Sequence, residues 1–156
     1  MYQASGKKRA KLTGKGKDHS FLLLTHNMMD SQAWLGLSGS AVKLLLEIAR
    51  QYNGFNNGDI SVPISRMRKR GFNSSDVLSR CKKELIAAGL VTQTRQGGMH
   101  YPSLFSVTWL PINECGGKLE VAAEKVASHA WKKSNAQAGI RCDSLSVAPE
   151  SGAIAA

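Results

Sequence analysis

The chain has 156 residues, with 21 Lys plus Arg against 11 Asp plus Glu and a formal net charge of +10. That length suits one domain with tails, and no apolar run is longer than that of Phe21 to Leu24, far short of the roughly 18 residues a membrane span needs. No long apolar segment follows the basic N-terminus, so neither a membrane protein nor a secreted one is expected, and the cytoplasm is the expected compartment.

Positive charge is unevenly placed. Lys7, Lys8, Arg9, Lys11, Lys15 and Lys17 give residues 1–17 a charge of +6 with no acid, whereas residues 113–156 balance five cations with five acids. Residues 1–19 hold almost no large apolar side chain and read as a disordered basic arm, and residues 143–156 as a disordered tail. The ordered body is expected over 20–112.

Along that body, Phe21 to Thr25 is apolar enough for a short strand. Asp30 or Ser31 can cap a short helix through Ala33 and Trp34 toward Leu37. Ser38 then caps a clearer helix, in which Ala41, Leu44, Leu45, Ile48, Ala49 and Tyr52 recur at helical spacing, with Leu37 and Val42 placed as a hydrophobic staple. Asn53-Gly54 should stop it. Asn56-Asn57-Gly58 marks a turn, and Asp59 to Pro63 alternates as a short strand. Ser65 opens a second helix, toward Gly71. Asn73 or Ser74 caps a third over 75–88, with Val77, Leu78, Cys81, Leu85 and Ala88 on one face, and Gly89 ends it. Leu90 to Gln96 and Ser103 to Leu110 alternate as strands of an antiparallel hairpin across Gly97 to Pro102.

Helix, short strand, helix, turn, helix and hairpin is an order that resembles the winged helix-turn-helix family. The segment Lys83-Glu84-Leu85-Ile86-Ala87-Ala88-Gly89-Leu90-Val91 looks like that family's recognition-helix end followed by the first wing strand, and flanking segments resemble small proteins of bacterial phages and integrated mobile elements. The likeness covers about 37–110. It implies an α+β fold, a three-helix core with a two- or three-stranded antiparallel wing sheet, and double-stranded DNA as partner. A departure is Lys82, where many winged helices place an aliphatic residue; Cys81 takes the core position instead.

With Cys81 inward, Ser75, Asp76, Ser79 and Lys83 point outward and Arg80 and Lys82 flank them. Such a helix suits a major groove, where Arg pairs with guanine and Ser donates or accepts. The expected base contacts are Ser75, Ser79, Arg80 and Lys83. Asp76 either accepts from cytosine or stabilises the positive end of its helix. Arg66, Arg68, Lys69, Arg70 and Lys82 suit phosphate contacts, as do Arg95 and His100 in the wing. Residues 66–95 hold eight cations and two acids, a dense patch for a polyanion. The expectation is a nucleoid-associated DNA binder, a transcriptional regulator or else a replication accessory factor of a mobile element. A protein-interaction module with an acidic partner is the alternative from another class.

Chemistry of other kinds finds little support. Gly14-Lys15-Gly16-Lys17 lacks the spacing of a phosphate-binding loop. His19, His26, His100 and His129 are scattered, and Cys81, Cys115 and Cys142 fit neither a disulfide set nor a metal site, so reduced thiols are expected and no enzyme activity, cofactor or metal. Trp34, Trp109 and Trp131 read as core or docking residues rather than stacking platforms. After Pro111, Asn113 to Gly117 reads as a linker, and Leu119 to Lys133 has Leu119, Ala122, Ala123, Val126 and Ala130 at helical spacing, within a linker and short helix over 113–142. That stripe suits packing on the domain or contact in a homodimer.

Overall fold

The computed structural model describes residues 21–133. The expected disordered arm over 1–19, the tail over 143–156 and the end of the C-terminal helix beyond 133 lie outside the described residues. Within them the fold is α+β, with helices around a three-stranded antiparallel sheet.

Residues 21–25 form no strand, which corrects the first expectation. A strand needs a neighbour for its N–H and C=O groups, and none of the sheet strands pairs with this segment. Two single-turn helices follow, α1 (His26–Met29) and α2 (Gln32–Leu35). The cap of α2 is Ser31, whose hydroxyl accepts from the Trp34 N–H at 3.2 Å. Helix α3 (Gly39–Ala49) is capped by Ser38, and its buried Ala41, Leu44, Leu45, Ile48 and Ala49 belong to the stripe read from the sequence, whereas Tyr52, expected to continue it, falls beyond the helix end and is half-buried. It ends four residues before Asn53 because polar side chains take over its end. The Asn56 amide donates to the Gln51 carbonyl at 3.0 Å and accepts from the Asn53 N–H at 2.8 Å.

Strand β1 (Ile60–Ser61) leads into α4 (Ile64–Arg68). The cap of α4 is Pro63 rather than Ser65; proline's fixed φ suits the entry to a helix and its missing N–H is not needed there. Ser74 caps α5 (Ser75–Ala87), accepting from the Asp76 and Val77 N–H groups at 3.2 and 3.5 Å. Gly89 turns the chain at a φ of 71°. A Cβ there would stand 2.9 Å from the Ala130 carbonyl, so the turn needs glycine both for its backbone angle and for space.

Strands β2 (Val91–Arg95) and β3 (Leu104–Val107) lie within the expected hairpin, and the sheet order is β1-β3-β2. Gln93 pairs with Phe105 and Arg95 with Leu104, so Thr94 is an extra residue in a β-bulge. The alternation expected over Ser103 to Leu110 is absent from β3, whose four residues are all buried. As the central strand it has neighbours on both sides, and its end is also covered by Asn57.

The core joins Met28, Leu44, Leu45, Ile48, Met67, Leu78, Cys81, Leu85, Leu90 and Phe105 with Trp131 from the far end of the described chain. Leu119 to Lys133 was expected to be helical, but no helix forms before Trp131. Its backbone N–H groups are used elsewhere: Glu120 donates to the Thr94 carbonyl, Glu124 to Ile112 and His129 to Thr108, at 2.9, 3.0 and 2.8 Å. Tertiary hydrogen bonds thus override the helical propensity of its alanines. Residues 119–131 form a strap packed back on the domain.

Candidate nucleic-acid interface

Helix α5 is oriented by its buried side. Leu78, Cys81 and Leu85 face the core, and α5 packs on α3. Burial pushes the Cys81 thiol above its ordinary range, with the nearby Glu84 charge adding to the effect. Cys81 thus takes the apolar position that Lys82 vacates. Lys82 is half-buried, its ammonium 6.0 Å from the centre of the Phe105 ring, so its stem lies against the sheet while its charge stays near the surface.

The opposite side of α5 carries Ser75, Asp76, Ser79, Arg80 and Lys83, all exposed. Ser75, Ser79 and Lys83 stand four residues apart and form one row, with Arg80 beside it. Glu84 is turned from this row. Its carboxylate accepts from the Ser38 N–H and, at 2.9 Å, from the Ser38 hydroxyl. It therefore caps the positive end of α3, and Asp76 remains as the acid in the exposed row.

The second cation group lies on α4 and just after it. Arg66, Arg68, Lys69 and Arg70 are all exposed. Two of them are also tied to α3 or its end. Arg66 donates to the Gln51 side-chain oxygen at 2.9 Å, and Arg70 lies 3.5 Å from the Glu47 carboxylate, which Arg50 shares at 3.3 Å. Arg68 and Lys69 are the less constrained pair. Lys43 of α3 reaches the connection between α4 and α5, its ammonium 5.5 Å from the Phe72 ring centre. Reading α3 in isolation gives Lys43 no role, since only packing brings it to that connection.

The loop from β2 to β3 holds the remaining candidates. Gly98 N–H donates to the Tyr101 carbonyl at 2.9 Å, closing the tip. Arg95 is half-buried: its guanidinium lies 5.1 Å from the Tyr101 ring centre and donates to the Pro102 carbonyl at 3.2 Å. It braces the loop. Met99 and His100 are exposed at the tip, Met99 at 93%. Glu120 of the strap accepts from the Gln96 N–H at 3.0 Å, fixing the base of the loop.

The exposed residues of α5 make a charged, hydroxyl-bearing surface. It offers hydroxyl and guanidinium groups on one helix, and further exposed cations stand on α4 and the residues just after it. Comparison with protein-family models, with curated proteins and with solved structures returns no match. Among the described residues, no helix is long and apolar enough to cross a membrane, and no three of His, Cys, Asp and Glu gather as metal ligands. The tryptophans are part of the packing: Trp131 belongs to the core, and Trp34 and Trp109 lie against it.

Proposed function

We propose that the protein is a winged-helix double-stranded DNA-binding protein without enzymatic activity, acting as a regulator of transcription. In this reading α5 enters the major groove, and Ser75, Ser79, Arg80 and Lys83 meet base edges. Arg66, Arg68, Lys69 and Arg70 meet phosphates on one side, with Lys82 on the flank and Arg95 and His100 toward the loop. The observation that supports it is the exposed row on α5, with Glu84 withdrawn to Ser38, together with the exposed cations of α4 and the residues just after it. Neutralised phosphates release counterions, so such a surface favours a polyanion.

The test is fluorescence anisotropy on a mixed-sequence duplex at 50 and 200 mM salt. About five phosphate contacts give a log-log slope of about −4 to −5. The double substitution Arg80→Ala, Lys83→Ala should weaken binding at least about tenfold, because each charged contact contributes on the order of 1 kcal/mol or more. A salt-independent response overturns the proposal. Unchanged DNA retention by the double variant, with loss of an acidic protein partner, would favour the interaction-module alternative. Genome-wide mapping separates regulation from replication: sites beside promoters support the former, repeated sites near an origin the latter.

A further inference from the structure

A cavity of about 410 Å³ opens on another part of the molecule, and the DNA-binding reading makes no use of it. It lies between residues 21–25, the end of α3, the residues after β3 and the end of the strap. Phe21, Tyr52, Trp109 and Trp131 supply aromatic walls, while Arg50 and His129 bring polar groups. Its size is in the range of small-molecule sites, which are lined largely by apolar groups with a few polar ones to fix orientation.

Two observations point to a ligand. Trp131 is only 3% exposed, and its indole nitrogen is buried with no hydrogen-bond partner; the same holds for Nδ1 of His129. Two unpaired buried groups on residues that line one cavity, each nitrogen sealed just behind the wall, are uncommon, because each forfeits the hydrogen bond it had with water. The indole N–H can only donate, so it calls for an acceptor. The second observation is charge. Arg50 lines the cavity with 57% of its side chain exposed, and the acid beside it, Glu47, is shared with Arg70. A single arginine on a largely apolar, aromatic wall matches a ligand with one negative charge and a flat ring.

We propose that this cavity binds a small planar aromatic carboxylate bearing a further hydrogen-bond acceptor. The ring packs on the aromatic walls, the carboxylate pairs with Arg50, and the second acceptor takes the Trp131 N–H once the ring edges shift to admit it. The proposal stands apart from the DNA-binding reading, because its test contains no DNA.

The probe is 3-hydroxy-2-naphthoate, titrated into the ¹⁵N-labelled full chain and followed through the tryptophan indole N–H signals by NMR. Trp131→Phe assigns its signal, and should that variant fail to fold, Trp34→Phe and Trp109→Phe assign it by elimination. Saturable displacement of the Trp131 signal is expected, with the Trp34 signal unmoved. Arg50→Gln, a change at an exposed side chain, should weaken binding about tenfold. The uncharged 2-naphthol should bind at least about tenfold more weakly than the acid, with the same affinity for both chains. Absence of a saturable Trp131 shift, equal movement of Trp34, or undiminished affinity of Arg50→Gln overturns the proposal.

Discussion

Asn57 is fully buried and completely used. Its side-chain oxygen accepts from the Val107 N–H at 2.8 Å, and its amide faces the carbonyls of Val107, Leu110 and Pro111, each at 3.0 Å. Its backbone exchanges bonds with Asn113, donating to that side chain and accepting from that N–H at 2.9 Å each. The side chain thus extends the pairing of β3 beyond β1. Asn57→Ala leaves several buried backbone groups unpaired and should cost about 3 kcal/mol, read from urea denaturation. Cys81 gives a pH effect. Its folded pKa is raised above the ordinary value of 9.0, so below that value the thiol is protonated in both states and has no influence. As pH rises through and above it, the unfolded chain releases the proton first and folding is disfavoured. The native chain should therefore lose more stability between about pH 8 and about pH 10 than Cys81→Ala does, measured by denaturation at both.

Among the elements, α3 and α5 match the expected apolar stripes, and their serine caps were visible because a cap and its helix are neighbours in the chain. What joins the helices was not visible. Glu84 reads as an ordinary polar position near the end of α5, yet it reaches Ser38, 46 positions away, and caps another helix. Glu84→Ala should cost about 1 kcal/mol, the usual worth of such a cap, and show as an equal fall in folding stability with or without DNA present. If stability holds while DNA affinity falls, Glu84 would instead belong to the binding surface. Strand lengths were also overestimated, since alternation continues past the point where a partner ends. Residues 21–25 have the apolar content of a strand but pair with none of the sheet strands.

At the scale of the whole molecule, the strap changes what counts as the domain. Residues 119–131 read as a helix joined by a linker, but their N–H groups bond to Thr94, Ile112 and Thr108, and Trp131 closes the core. Trp131→Ala should therefore cost about 3 to 5 kcal/mol, the range for emptying a large aromatic site. Guanidinium unfolding followed by circular dichroism checks this; a change under about 1 kcal/mol would mean the strap is an appendage. The cation patch is likewise an assembled property. Lys43 reaches from α3 to the Phe72 ring, Arg70 is drawn toward Glu47, and Arg95 is folded onto Tyr101.

The amino-acid sequence by itself determined the two amphipathic helices, their caps, the hairpin and the density of positive charge between 66 and 95. Each of these depends on residues close together in the chain, where periodicity and turn chemistry act. Only the tertiary structure decided which cations stand free, which acid is withdrawn, where Asn57 bonds, and that the strap and residues 21–25 enclose a cavity. Those outcomes arise from contacts between positions dozens of residues apart, where geometry and burial select among polar groups that look equivalent along the chain.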